Sequence, residues 1–152
     1  MPTGSSRWRS TTAAPAVAAD FRFLSVEQVI ALHATLLRRF GGSDIPSHRG
    51  EVDGVSAAVT AVVNSNYEEV FELAAAYAVY LVMGHVFGDG NKRAASAAAL
   101  TFLELNGIAV SARSKALCDL MIDVQTRAES NPRPQAAELI EEVAAWLRAR
   151  GS

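Results

Sequence analysis

The residues best suited to chemistry lie together at positions 85–93, which read HVFGDGNKR. Five of these side chains are polar or charged, and strongly apolar stretches flank them on both sides. A turn between two buried helices is a costly place for them, because an unpaired polar group in an apolar interior costs roughly 2–7 kcal/mol. The composition of this turn therefore predicts that its side chains bind partners or a ligand.

The glycines and cations of this segment predict that the ligand is an anion. Gly88 and Gly90 let the backbone approach a bulky group closely. The N-terminus of the following helix offers free N–H groups and a positive dipole end. Lys92 and Arg93 would stand in its first turn, where cations are unfavourable unless an anion is bound. Arginine can bind a phosphate through two hydrogen bonds, and lysine acts as a movable point charge.

Two further side chains fit a nucleotide and its metal ion. Asp89 is a single carboxylate beside the predicted phosphate site, and Mg²⁺ is usually held by one or two carboxylates together with water and phosphates. His85 is the natural proton acceptor at neutral pH. The residues alone thus predict a nucleotide–Mg²⁺ site with a histidine base. The alternative is structural: a glycine-rich helix cap, a core histidine, and cations that extend to solvent.

Composition narrows the class of protein. The chain has 152 residues, of which 50% are hydrophobic, so it can bury the core of a single domain. A formal net charge of −2 argues against a strongly basic nucleic-acid binder. Cys118 is the one cysteine, which excludes an internal disulfide and a cysteine-cluster zinc site. His33, His48 and His85 lack the spacing of metal ligands, so no zinc site is expected.

The N-terminal residues 1–20 are rich in Ser, Thr, Ala, Pro and Arg and show no periodicity, which predicts a disordered extension. Residues 10–17 are too short and too polar for the core of a signal peptide. No run reaches the roughly 18 apolar residues of a membrane span. We therefore expect a cytoplasmic protein whose folded domain covers residues 21–152.

The elements that position the 85–93 turn are predicted to be α-helices, which makes the fold all-α. Helical spacing of apolar residues predicts about six helices, over residues 26–40, 53–63, 68–83, 92–105, 114–127 and 135–150. Ser25 and Gln28 form the pattern of a capping box at the first of them. The helices 68–83 and 92–105 are so apolar that we expect them at the centre of a compact bundle, with the turn between them.

The non-helical segments carry fewer signals. Residues 43–52 are polar and broken by Pro46 and Gly50, which predicts a loop or a short extended flap. Residues 21–23 and 108–110 could pair only briefly as strands. His33 is expected to be a core or surface histidine, and Cys118 a buried, inert thiol.

Residues 85–93 match the Fic motif, His-x-Phe-x-Asp/Glu-Gly/Ala-Asn-Gly/Lys-Arg. Lys92, directly after the asparagine, resembles the Doc (death-on-curing) branch of the Fic/Doc superfamily. Residues 24–33 resemble the opening helix of Doc toxins, residues 39–42 the glycine pair that follows it, and residues 101–107 the end of the helix after the motif. The resemblance covers about residues 21–150.

This resemblance implies an all-α Fic/Doc bundle that holds a nucleoside triphosphate such as ATP with Mg²⁺. Most Fic proteins transfer AMP to a hydroxyl of a target protein. Doc toxins instead transfer the terminal phosphate, acting as kinases on a threonine of elongation factor Tu, and so stop protein synthesis. A separately encoded antitoxin neutralises them by folding over the toxin. The balanced charge and the lack of a long apolar run, not the resemblance, lead us to expect no direct nucleic-acid partner and no membrane association.

The family roles transfer position by position. By resemblance, His85 is the general base that takes the proton from the target hydroxyl, Phe87 anchors the loop, and Asp89 holds Mg²⁺. The residues assigned to binding the nucleotide are Gly88, Gly90, Asn91, Lys92 and Arg93. Lys92 and Arg93 are further expected to stabilise charge that develops on the phosphates, which makes them catalytic residues with His85 and Asp89.

Three departures from the family pattern affect the expected activity. AMP-transferring Fic proteins usually carry a second arginine where this chain has Ser96, which favours phosphate transfer over AMP transfer. Met83 and Ala94 replace a basic residue and a threonine that are common in Doc relatives. A degenerate member that only binds nucleotide or a partner is therefore a further alternative.

The resemblance also implies a flap that docks the target and a source of inhibition. By resemblance, the flap is placed at residues 44–52, with Arg49 as a contact. Autoinhibited Fic proteins carry a Ser/Thr-x-x-x-Glu-Gly/Asn pattern, and no glutamate here is followed by glycine or asparagine. Inhibition is therefore expected from an antitoxin in trans.

Overall fold

The computed structural model describes residues 21–40, 48–84, 91–112, 114–132 and 134–152. These contain six α-helices, which confirms the all-α prediction: α1 (Val26–Phe40), α2 (His48–Val63), α3 (Val70–Met83), α4 (Asn91–Leu105), α5 (Ser114–Ala128) and α6 (Ala136–Arg150). Most bounds lie within two residues of those predicted, and α1 agrees at both ends. The predicted N-terminal extension, residues 1–20, lies outside the described residues.

Helix α3 lies at the centre of the bundle, as its apolar sequence predicts. Its nine fully buried residues run from Leu73 to Val82, interrupted only by the half-buried Tyr80. Helices α2, α4, α5 and α6 all pack against it. The helix that contacts it most extensively is α4, whose buried residues are mainly alanines, and such small side chains let two helix backbones approach closely.

Helix α2 begins five residues earlier than predicted. The prediction of a loop over residues 43–52 is wrong for residues 48–52, which are helical, while residues 43–47 lie outside the described residues. Gly50 therefore lies inside a helix, at a propensity cost of about 1 kcal/mol relative to alanine. Val55, Ala58 and Val62 are buried at helical spacing, and their packing against the core offsets this cost.

The capping box of α1 is confirmed in both directions. The backbone N–H of Gln28 donates to Ser25 Oγ at 3.1 Å, and the backbone N–H of Ser25 donates to Gln28 Oε1 at 2.8 Å. At α3, Glu69 caps the helix from outside, because its carboxylate accepts hydrogen bonds from the N–H groups of Phe71 and Glu72, each at 3.2 Å. The predicted start at residue 68 is therefore two residues early.

The two segments considered as short strands, residues 21–23 and 108–110, are held by different partners. Residue 110 pairs with Gly151 in an antiparallel bridge, and Ala109 exchanges backbone hydrogen bonds of 3.2 and 3.0 Å with Ser152. The backbone of Arg22 instead bonds to the side chain of Asn106 at the end of α4. Within the described ranges, no helix is both long enough and apolar enough to cross a membrane.

Candidate functional site

The chain that joins α3 to α4 carries the predicted motif. Helix α3 ends at Met83, where the N–H of Gly84 donates to Tyr80 O at 3.0 Å, and α4 begins at Asn91. The motif thus connects the two central helices, as expected. Five predicted site residues lie outside the described residues: His85, Phe87, Gly88, Asp89 and Gly90. Their assigned roles stay predictions.

The first turn of α4 supplies the described part of the site. Asn91, Lys92 and Arg93 are its first three residues, and no acidic residue occurs in that turn. Lys92 is half-buried and Arg93 is exposed. Cations at a helix N-terminus oppose the helix dipole by roughly 0.3–1 kcal/mol each. Two of them at a helix N-terminus favour a bound anion such as a phosphate.

Contacts from α5 and from α4 itself hold Lys92 in place. Its Nζ donates to Gln125 Oε1 on α5 at 3.3 Å. Its backbone oxygen accepts a hydrogen bond from Ser96 Oγ at 2.8 Å, and Cys118 Sγ on α5 lies 4.0 Å from the same oxygen. Both the backbone and the ammonium of Lys92 therefore have defined positions.

The three residues that differ from the family pattern are buried or half-buried. Ser96 is 3% exposed and its hydroxyl donates within its own helix, so this position adds no charge to the surface of the first turn. Ala94 is 1% exposed, so the change from threonine at this position alters packing rather than the surface. Met83 is half-buried and packs against the core.

Of the other singled-out residues, Cys118 meets the site through the Lys92 carbonyl oxygen, and the positions of Arg49 and His33 differ from this. Arg49 lies in the first turn of α2, so the predicted extended flap is helical there, and its side chain lies outside the described structure. His33 is buried, at 4% exposure, and is thus a core histidine. Cys118 is half-buried, more exposed than predicted. In the described part of the chain, no three His, Cys, Asp or Glu side chains cluster to hold a metal ion.

Sequence reasoning missed Gln125. It lies 33 residues from Lys92, and nothing in its own neighbourhood marks it as a polar contact of the motif. Its spacing of seven residues from Cys118 places both on one face of α5. Only the packing of α5 against α4 shows that this face meets Lys92.

Comparisons with known proteins agree with this architecture. Residues 23–103 match the family described as the Fic/DOC family. The protein kinase doc of Escherichia phage P1 is 40% identical over 108 residues, which cover 69% of this chain and 83% of that relative. The toxin Doc of Mycolicibacterium smegmatis is 38% identical over 95 residues, which cover 58% of this chain and 71% of that relative.

The chain therefore belongs to the Fic/Doc family. Both of these relatives bear the Doc name, so the resemblance to the Doc branch is also confirmed. The matched segment runs from the residues before α1 to the last turns of α4, so it includes the motif and the helix that follows it. Helices α5 and α6 lie beyond it.

Proposed function

We propose that this protein is the toxin of a toxin–antitoxin pair and acts in the cytoplasm as a protein-modifying transferase. The reaction is transfer of the terminal phosphate of ATP, or of another nucleoside triphosphate, to a Ser or Thr hydroxyl. The target is a translation factor, and the resemblance points to elongation factor Tu. The relatives named as a protein kinase and as a toxin support this proposal.

One observation favours terminal-phosphate transfer over AMP transfer: the neutral, buried Ser96 one turn after Lys92. AMP-transferring Fic proteins place a second phosphate-binding arginine at this position. Here the hydroxyl bonds back to its own helix, and Lys92 and Arg93 are the cations of α4. The phosphate surface therefore has two cations, both in the first turn.

The proposed chemistry uses residues of the motif. His85 takes the proton from the target hydroxyl, whose oxygen forms a bond to the terminal phosphorus. The bond from that phosphorus to its bridging oxygen breaks, and the nucleoside diphosphate leaves. Lys92, Arg93 and the N–H groups of α4 stabilise the charge on the phosphate oxygens.

A metal ion fits the same site on charge grounds. The first turn of α4 is free of acidic residues and suits the phosphates. Asp89, outside the described residues, is the carboxylate that would hold Mg²⁺ beside them. When bound, Mg²⁺ would neutralise part of the charge on the nucleotide.

A labelling experiment tests the reaction. Purified protein is given Mg²⁺ with ATP labelled on the γ-phosphate, or in parallel on the α-phosphate, in a bacterial translation extract. We expect γ-label on a protein of elongation-factor size and none with His85→Ala. Label from the α-position would replace the proposal with AMP transfer. No label from either would favour the degenerate binding protein.

A growth experiment tests the toxin–antitoxin assignment. No glutamate of the chain is followed by glycine or asparagine, so the Fic autoinhibitory pattern is missing and an inhibitor in trans is expected. Induced expression should arrest bacterial growth, and His85→Ala should not. Co-expression of the antitoxin candidate, a small reading frame next to the gene for this protein, should restore growth. Arrest that persists with that partner would contradict the pairing.

A further inference from the structure

Lys92 is bound by a side chain that belongs to neither the motif nor its helix. Its Nζ donates to Oε1 of Gln125, 3.3 Å away on α5, and both side chains are half-buried. The contact joins the first turn of α4 to the last turn of α5, a helix that lies beyond the segment matched by the family.

Helix α5 contacts Lys92 at two points. The first point is Cys118, whose Sγ lies 4.0 Å from the Lys92 carbonyl oxygen. Gln125, two helical turns further along the same face, meets the ammonium. The backbone and the head of this lysine are therefore both defined by the packing of α5.

The chemistry of the acceptor bears on function. An amide oxygen is neutral, so it orients the ammonium without cancelling its charge. A carboxylate at the same place would form an ion pair with the ammonium and compete with an anionic ligand. A lysine held in one geometry also loses less side-chain freedom when it binds a phosphate.

We propose that Gln125 is a positioning residue that holds the Lys92 ammonium toward the phosphates of a bound nucleoside triphosphate. This inference rests on the proposed function, which places Lys92 in the nucleotide site. The proposed role of Gln125 in binding is exerted through Lys92, so its effect on MgATP affinity should vanish when Lys92 is removed.

A double-mutant cycle measures this dependence. MgATP is titrated calorimetrically into the wild type, Gln125→Met, Lys92→Met and the double variant. Gln125→Met keeps the length of the side chain and removes the acceptor, and should weaken binding about three- to tenfold. Lys92→Met should weaken it further, and the double variant should bind no worse than Lys92→Met. Unchanged affinity in Gln125→Met, or additive losses, would overturn the proposal.

Gln125→Glu separates positioning from a simple structural tie between α4 and α5. If the contact only joined the helices and the Lys92 ammonium did not face the phosphates, the new ion pair would preserve both the melting temperature and MgATP affinity. A positioning role predicts an unchanged melting temperature with affinity at least about tenfold weaker, because the carboxylate competes with the phosphates. Retained affinity in this variant would contradict the proposal.

Thr126→Ala is the matched control. Thr126 is the exposed neighbour of Gln125, and its hydroxyl bonds within its own helix, to Ile122 O at 2.9 Å. This variant should bind MgATP as the wild type does. If the wild type fails to bind MgATP, or if Lys92→Met binds equally well, the nucleotide site proposed above fails and this inference fails with it. If the wild type and Lys92→Met behave as expected and Gln125→Met binds MgATP with wild-type affinity, the positioning role alone fails.

Discussion

Lys92 and Arg93 are neighbours in the first turn of α4, but their surroundings differ. Lys92 is half-buried, with its ammonium on Gln125 and its carbonyl on Ser96. Arg93 is an exposed residue at the same helix start. An exposed guanidinium can bind a phosphate through two hydrogen bonds. Because Arg93 is exposed, its substitution should not disturb the packing of the core.

Arg93→Ala should therefore separate activity from stability. We expect a loss of transferase kcat/KM of roughly 10²–10³-fold, because a preorganised donor to the phosphates is removed. The melting temperature should stay within a degree or two, as is usual for surface substitutions of about 0.5 kcal/mol or less. Arg38→Ala, an exposed arginine in the last turn of α1, is the control and should keep full activity. Equal activity of the two variants would show that Arg93 does not bind the phosphates.

Tyr77 shows how burial controls a single ionisable group. Its ring is fully buried in α3, and its hydroxyl accepts from the N–H of Leu24 at 2.9 Å and donates to Leu24 O at 3.2 Å. Desolvation by burial raises the pKa of Tyr77 from 10.0 to about 12, and the backbone hydrogen bond with Leu24 opposes this rise in part. The segment before α1 is thus tied to the centre of the bundle.

This shift predicts a pH dependence of stability. Because the pKa of Tyr77 is raised on folding, its proton stabilises the folded state fully below pH 10, and this stabilisation is lost as the pH rises from 10 to about 12. Urea unfolding should show Tyr77→Phe less stable than the wild type at pH 8, by about 1 kcal/mol for the lost acceptor. The difference should shrink above pH 10. A gap that stays constant up to pH 12 would contradict the shift.

At the scale of the elements, α1 and α4 begin in opposite ways. Helix α1 has a capping box, Glu27 in its first turn and arginines in its last, all of which complement the helix dipole. Helix α4 has two cations and no acid in its first turn. The first arrangement serves stability and the second suits an anionic ligand, so the two helix starts differ in charge as the proposed nucleotide site requires.

Ser25→Ala tests the structural half of this contrast. Removing the hydroxyl leaves the N–H of Gln28 without its acceptor, which should cost about 1 kcal/mol of unfolding free energy. For a chain of this size that corresponds to a melting temperature lower by about 2–4 °C. Ser56→Ala, at an exposed position inside α2, is the control and should be neutral or slightly stabilising. Equal effects would mean that the cap contributes nothing.

At the scale of the whole molecule, the C-terminus closes the bundle. Gly151 packs so closely on α3 that an added Cβ would lie 2.5 Å from the ring of Phe71 and 3.1 Å from Leu147 O. Arg148 places its guanidinium 5.9 Å from the centre of the same ring and bonds to Glu69 at 2.7 Å. This hydrogen bond raises the pKa of Arg148. The last residues are thus joined to the start of the central helix.

Gly151→Ala should destabilise the fold through this contact. The new methyl group would push the half-buried Phe71 ring and cost roughly 1–3 kcal/mol of unfolding free energy. In a Phe71→Leu background the cost should fall, and the difference between the two backgrounds measures the clash. Ser152→Ala, which keeps its backbone pairing to Ala109, is the control. A neutral Gly151→Ala would show that the ring moves freely.

Much of this architecture is predictable from the chain because local signals agree with tertiary packing. The cap at Ser25 and the helical spacing of apolar residues locate α1 at both ends. The strongly apolar sequence of α3, in which Glu72 is the one charged residue, indicates that it is central, since such a helix must be covered on nearly all sides. The predicted start of α2 is wrong, because polar residues with Pro46 and Gly50 indicate a loop locally. The buried face of Val55, Ala58 and Val62 instead stabilises a helix.

The residues of the 85–93 motif and the family they indicate were determined by the sequence itself, since residue types and their spacing are local properties. Which distant side chains meet the motif was decided only by the tertiary structure. Gln125 reaches Lys92 because α5 packs against α4, and Gly151 reaches Phe71 because the chain after α6 returns to α3. Such contacts join residues far apart in the chain, and no local pattern of charge or hydrophobicity specifies them.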